Sequence, residues 1–88
     1  MSRSMFSEKR FVYILRSEVD SARCYVGLTS NVQARLGVHN SGLAQYTSRD
    51  RPWRLLVAIE FASERSAIQF EKYLKTGSGR AFAKRHFN

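Results

Sequence analysis

Hydrophobic and polar positions change period along this chain, and the period assigns the elements. Phe11-Val12-Tyr13-Ile14-Leu15 is an uninterrupted β-branched and aromatic run, the pattern of a buried strand. Ser17 to Arg23 is polar and turn-like, and Cys24-Tyr25-Val26-Gly27-Leu28 resumes the strand pattern, so the two runs predict an antiparallel hairpin. Ser30-Asn31-Val32-Gln33 has capping-box spacing and opens a helix at about residue 31 that runs to Asn40, where Ser41-Gly42 stops it. A loop follows to Pro52. Trp53 to Phe61 then alternates, with Trp53, Leu55, Val57, Ile59 and Phe61 on one face of a third strand. Ser63 caps a second helix through Thr76, Gly77 and Gly79 punctuate its end, and Arg80 to Phe87 forms a short basic third helix. The order β-β-α-β-α-α predicts an α+β fold, a three-stranded antiparallel sheet flanked by helices. A flexible polar segment is expected over 1–9 and a single domain over 10–88.

Composition sharpens this picture. With 88 residues, 43% of them hydrophobic, the chain has material for one compact core. Fifteen Lys and Arg against seven Asp and Glu give a net charge of +8, which concentrates polyanions around the molecule and makes nucleic acid the first partner to test. Cys24 is the one cysteine, so no internal disulfide forms, and no Cys/His cluster has zinc spacing. The start carries no apolar stretch of signal-peptide length and no run approaches a spanning helix, so a cytoplasmic protein without membrane contact is expected.

Several residues exceed what a core requires. On the first helix Val32, Arg35, Leu36 and His39 fall on one side, so two of the core-pattern positions are cationic or titratable. Singly, an edge Arg and a structural His are the ordinary readings. Together they can converge on a phosphate, Arg for charge neutralisation and His for proton transfer. On the second helix Ala67, Phe70 and Leu74 form the apolar stripe, and Glu71 points inward or along its margin, either as the ion-pair partner of a nearby Arg or as a carboxylate for Mg²⁺. Tyr13 and Tyr25 occupy neighbouring strands in a register that can set them side by side, as core aromatics or as phenols holding a water. Gly27 inside a strand signals a bulge or a close approach to the backbone.

The chain resembles the GIY-YIG endonuclease superfamily, in particular the small single-domain branch similar to the amino-terminal nuclease domain of the excision-repair subunit UvrC. Val12-Tyr13-Ile14 stands where the family has GIY, with Val12 for its first glycine, and Tyr25-Val26-Gly27 stands where it has YIG. Arg35 with His39-Asn40, Thr47 with Arg51-Pro52-Trp53, Phe70-Glu71-Lys72 and the stretch from Leu74 to Phe82 match its further motifs, over about residues 11–87. The resemblance implies metal-dependent hydrolysis of phosphodiester bonds in DNA, RNA not being excluded, with a role in repair or recombination. Glu71 would hold Mg²⁺ or Mn²⁺, Tyr13 and Tyr25 would position or deprotonate water, Arg35 would stabilise the phosphate and His39 would serve as base or phosphate ligand. Gly27 would leave room beside the scissile phosphate, and Arg49, Arg51, Arg80, Lys84 and Arg85 would bind the nucleic-acid backbone. The family often has an Asn after its metal-binding Glu, and only Asn88 is available for that place. The alternative is a non-catalytic basic nucleic-acid-binding module.

Overall fold

The computed structural model describes residues 8–87; residues 1–7 of the segment expected to be flexible, and Asn88, lie outside the described residues. The elements are β1 (Phe11–Ser17), β2 (Cys24–Thr29), α1 (Val32–Ser41), a 3₁₀ turn (Ser48–Asp50), β3 (Trp53–Glu60), α2 (Glu64–Leu74) and α3 (Gly77–Phe87). They form the expected α+β fold, an antiparallel sheet in the order β2-β1-β3. The apolar run Phe11–Leu15 takes the centre, because a strand paired on both sides and covered on both faces needs apolar side chains in both directions. Val12, Tyr13, Ile14 and Leu15 are all buried.

Alternation along β1 divides the core in two. Tyr13 and Leu15 pack with Trp53, Tyr25, Val32, Leu36 and Leu55, on the α1 face. Val12 and Ile14 pack with Ala67, Phe70, Leu74 and Phe82 of α2 and α3, on the other face. The third strand departs from expectation here. Ile14 pairs with Val57 but Leu15 pairs with Leu55, so the ladder skips Leu56 as a bulge. Trp53 and Leu55 therefore join the α1 core, whereas Leu56, Val57 and Phe61 pack against the opposite one. A single inward face from Trp53 to Phe61 is not what forms.

The caps show which local signals act. Asn31, not Ser30, caps α1, its side chain accepting from the Ala34 amide at 3.0 Å, and Gly42 ends the helix at φ 86. Ser63 caps α2 as expected, at 3.1 Å to the Ser66 amide. That helix stops at Leu74, before Thr76, and Gly77 and Gly79 open α3 instead of closing α2. Thr76 Oγ1 donates to the Tyr73 carbonyl and accepts from the Gly79 amide. Gly79 is there for contact: a Cβ on it would overlap the Tyr73 carbonyl, so only glycine lets the two helices meet this closely.

Asn40 ties the end of α1 to β3. Its Oδ1 accepts from the Trp53 amide at 2.6 Å and its Nδ2 donates to the Trp53 carbonyl at 3.1 Å. The Trp53 indole donates to the Thr47 carbonyl at 2.8 Å, which anchors the intervening loop. No helix among the described residues is long and apolar enough to cross a membrane.

Candidate active site

The hairpin register places the two tyrosines diagonally: Tyr13 faces Gly27, and Tyr25 faces Leu15. The rings lie 6.2 Å apart, within diagonal cross-strand reach. The room that Gly27 leaves is filled by the Tyr13 phenol, which a Cβ there would overlap. The glycine thus makes space for a tyrosine of its own sheet.

His39, in the last turn of α1, closes over both rings, at 4.6 Å from Tyr25 and 6.0 Å from Tyr13. Its Nε2 is 3.0 Å from the Tyr13 hydroxyl and its Nδ1 is 2.8 Å from Thr47 Oγ1. Tyr13 and His39 are each 1% exposed and Thr47 2%. In such surroundings an unpartnered polar group costs about 1–3 kcal/mol, so this chain of contacts is held on both sides of the imidazole. Burial, and then the Arg35 charge, push His39 below its ordinary 6.5, so it is neutral. Burial raises the Tyr13 phenol above 10.0; the neighbouring Arg35 pulls it down, while Tyr25 and Glu71 push it further up. One guanidinium therefore acts on both members of the hydrogen-bonded pair.

Of Tyr13, Tyr25, Arg35, His39 and Glu71, not all reach the surface. Tyr13 and His39 are buried beneath it, because a central strand and the inner face of α1 supply them. Tyr25, Arg35 and Glu71 are half-buried. Glu71 comes from α2, whose apolar stripe packs on the face opposite α1, yet its charge still reaches the Tyr13 phenol. Its ion-pair partner is Lys75, one helical turn on, a lysine in place of the expected arginine.

The expected backbone-binding residues divide. Arg80 and Lys84 line a cleft of about 750 Å³ together with Tyr25, Tyr46, Thr47 and Lys75. Arg49 lines a smaller adjoining hollow with Arg23 and Tyr46. Arg51 donates to the Ser48 carbonyl at 2.7 Å and packs its guanidinium at Gly42, which gives it a part in holding the loop. Arg85 is exposed on α3. Sequence reasoning passed over Lys75, legible as the i+4 partner of Glu71, and Tyr46, whose 93% exposure no local pattern signals. Thr47 stands in a family motif, and no sequence pattern assigns its hydroxyl a task.

One carboxylate at the site, Glu71, is of the kind a hard divalent cation takes, and Lys75 pairs with it here. Among the described residues no three His, Cys, Asp or Glu gather as a preformed cage. Glu71, with its side chain 16% exposed, offers one carboxylate. Magnesium accepts that arrangement because it retains waters and takes further oxygens from substrate phosphate.

Residues 9–86 match the family model of the GIY-YIG catalytic domain. This chain belongs to the GIY-YIG family. The GIY-YIG domain is 39% identical over 71 residues to a UPF0213 protein of Staphylococcus haemolyticus, covering 80% of this chain and 84% of that protein. It is 38% identical over 68 residues to a UPF0213 protein of Streptococcus pneumoniae, covering 76% and 67%. It is 44% identical over 66 residues to the structure-specific endonuclease subunit SLX1 of Podospora anserina, covering 68% of this chain and 19% of that protein. The chain thus spans about a fifth of the SLX1 relative's length. No solved structure matches it. As a GIY-YIG catalytic domain the chain is an enzyme of the endonuclease type. Counted back from Tyr13, the GIY tripeptide falls on Phe11-Val12-Tyr13, so Phe11, not Val12, takes the place of its first glycine.

Proposed function

We propose that this GIY-YIG domain is a structure-selective DNA endonuclease that uses Mg²⁺ or Mn²⁺ at Glu71 and acts in DNA repair or recombination. The observation that carries the reading is the buried Tyr13–His39 hydrogen bond under the Arg35 charge, beside a cationic cleft that Tyr25 also lines. The kinship with SLX1 subunits supports DNA structure as the feature recognised.

Arg35 draws the scissile phosphate in and stabilises the charge that builds on it during attack. Tyr25, half-exposed over His39, positions the attacking water. Tyr13 takes a proton from that water while passing its own to His39 Nε2: water loses one proton, imidazole gains one, and the phenol is unchanged. The ion that Glu71 would hold supplies positive charge at the phosphate and at the leaving oxygen. Arg49, Arg80, Lys84 and Arg85 hold the flanking backbone without reading sequence, and Arg51 holds the loop beside them.

Cleavage assays over single-stranded, duplex, flap and branched DNA, with RNA counterparts, test the proposal. Cutting should require Mg²⁺ or Mn²⁺ and favour one DNA structure. Glu71→Gln should abolish cleavage while DNA binding stays equal or tightens, because a negative charge facing the phosphate is lost. Arg35→Ala should lose both rate and affinity, since its charge acts in ground and transition states alike. If wild-type protein cuts nothing with either ion, and Glu71→Gln binds DNA as wild type does, the basic binding module is the better reading.

A further inference from the structure

We infer that Thr47 is a positioning residue that fixes His39 as its Nδ1–H tautomer, leaving the Nε2 lone pair to accept the Tyr13 proton. The hydrogen-bond directions follow from both ends of the chain. At one end, the Tyr13 hydroxyl makes one hydrogen bond among the described residues, to His39 Nε2 at 3.0 Å, and the Arg35 guanidinium that acts on the phenol can only donate. The phenol proton therefore has one acceptor, and Nε2 must be unprotonated. At the other end, Thr47 Oγ1 sits 3.3 Å from the Ala44 carbonyl, a group that accepts and never donates. The threonine proton goes to that carbonyl, and its oxygen turns a lone pair to Nδ1 at 2.8 Å. The two ends give the same tautomer: Tyr13 donates to His39, His39 to Thr47, and Thr47 to Ala44.

Thr47 is itself held. Its amide donates to the Ala44 carbonyl at 3.1 Å, and its own carbonyl accepts from the Trp53 indole at 2.8 Å, so the hydroxyl is presented by a loop pinned to β3. A second-sphere partner that sets which imidazole nitrogen carries the proton is a recurring device for aiming a histidine. The consequence for catalysis rests on the nuclease reading. With the opposite tautomer His39 would donate to Tyr13, and the phenol could not discharge its proton as it takes one from water.

The test separates the two ideas by reading the tautomer directly. Two-bond ¹H–¹⁵N correlation spectra of the His39 ring at neutral pH, on the full chain, should show a pyrrole-type Nδ1 and a pyridine-type Nε2. Thr47→Val, of similar shape but without the acceptor, should shift the ring toward Nε2–H, and Thr47→Ser should keep the wild-type pattern. In the cleavage assay Thr47→Val should lower kcat at least about tenfold with little change in KM, and Thr47→Ser should recover most of the rate. A wild-type ring protonated on Nε2 overturns the inference even if Thr47→Val fails to fold, and so does a Thr47→Val ring with the wild-type tautomer. The expected spectra in a protein that cuts nothing would uphold the tautomer and remove the nuclease reading instead.

Discussion

At the scale of the residue, His39 shows how a polar group is kept in a core. It is neutral, partnered on both nitrogens, and held below its ordinary 6.5 by burial and by Arg35. On acidification the unfolded chain takes up this proton near pH 6.5, whereas the folded chain waits until a lower pH. Between those points the unfolded state binds more protons, so stability falls as pH falls. Urea denaturation at pH 7, 6 and 5 should show this loss, with a contribution from His39 of at most about 1.4 kcal/mol per pH unit. His39→Gln should flatten that part of the profile. Gly27→Ala probes the same cluster from below: the new Cβ must displace the Tyr13 ring, which costs about 1–3 kcal/mol and breaks the contact with His39. Loss of cleavage together with a lowered urea midpoint would be the result.

At the scale of the element, two helical glycines separate propensity from contact. Gly37 lies exposed within α1, with nothing within 4 Å of a Cβ built there, so Gly37→Ala should stabilise by about 0.5–1 kcal/mol through helix propensity. Gly79 meets the Tyr73 backbone, which cannot move aside as a flexible side chain would, so Gly79→Ala should destabilise and separate α3 from α2. Paired thermal melts check both signs. The strands carry the same lesson. The apolar run of β1 and the polar turn after it were sufficient to predict the hairpin, because side-chain period is a local property. The bulge at Leu56 was not legible, because every odd position from Trp53 to Phe61 is apolar, the apolar run Leu55–Ile59 fits either frame, and only pairing with β1 shifts it.

At the scale of the molecule, the charge of +8 meets an uneven surface. Arg80 and Lys84 share a cleft with Tyr25, whereas Arg51 is engaged with its own loop. DNA affinity should fall steeply with salt, and replacing Arg80 and Lys84 together by Ala should lower the logarithmic salt slope by about two. Replacing Arg51 should instead act through the loop and lower stability. Titrations at several salt concentrations distinguish the two effects. An affinity that ignores salt would count against nucleic acid as the partner.

The sequence by itself determined the elements, their order, the basic surface and the set of residues that do not fit a plain core. Each of these is a matter of composition or of local period, and Ser63, the β1 run and the Arg35–His39 spacing display it without reference to anything distant. Tertiary structure decided the rest. Thr47 and His39 meet only because Asn40 and Trp53 fasten the loop to β3, and Gly27 serves Tyr13 only because the hairpin register sets them opposite. Glu71 reaches the phenol's field from a helix on the far face of the sheet. Strand register, hydrogen-bond direction and the field of a distant charge depend on which parts of the chain come together, and a one-dimensional pattern carries no record of that.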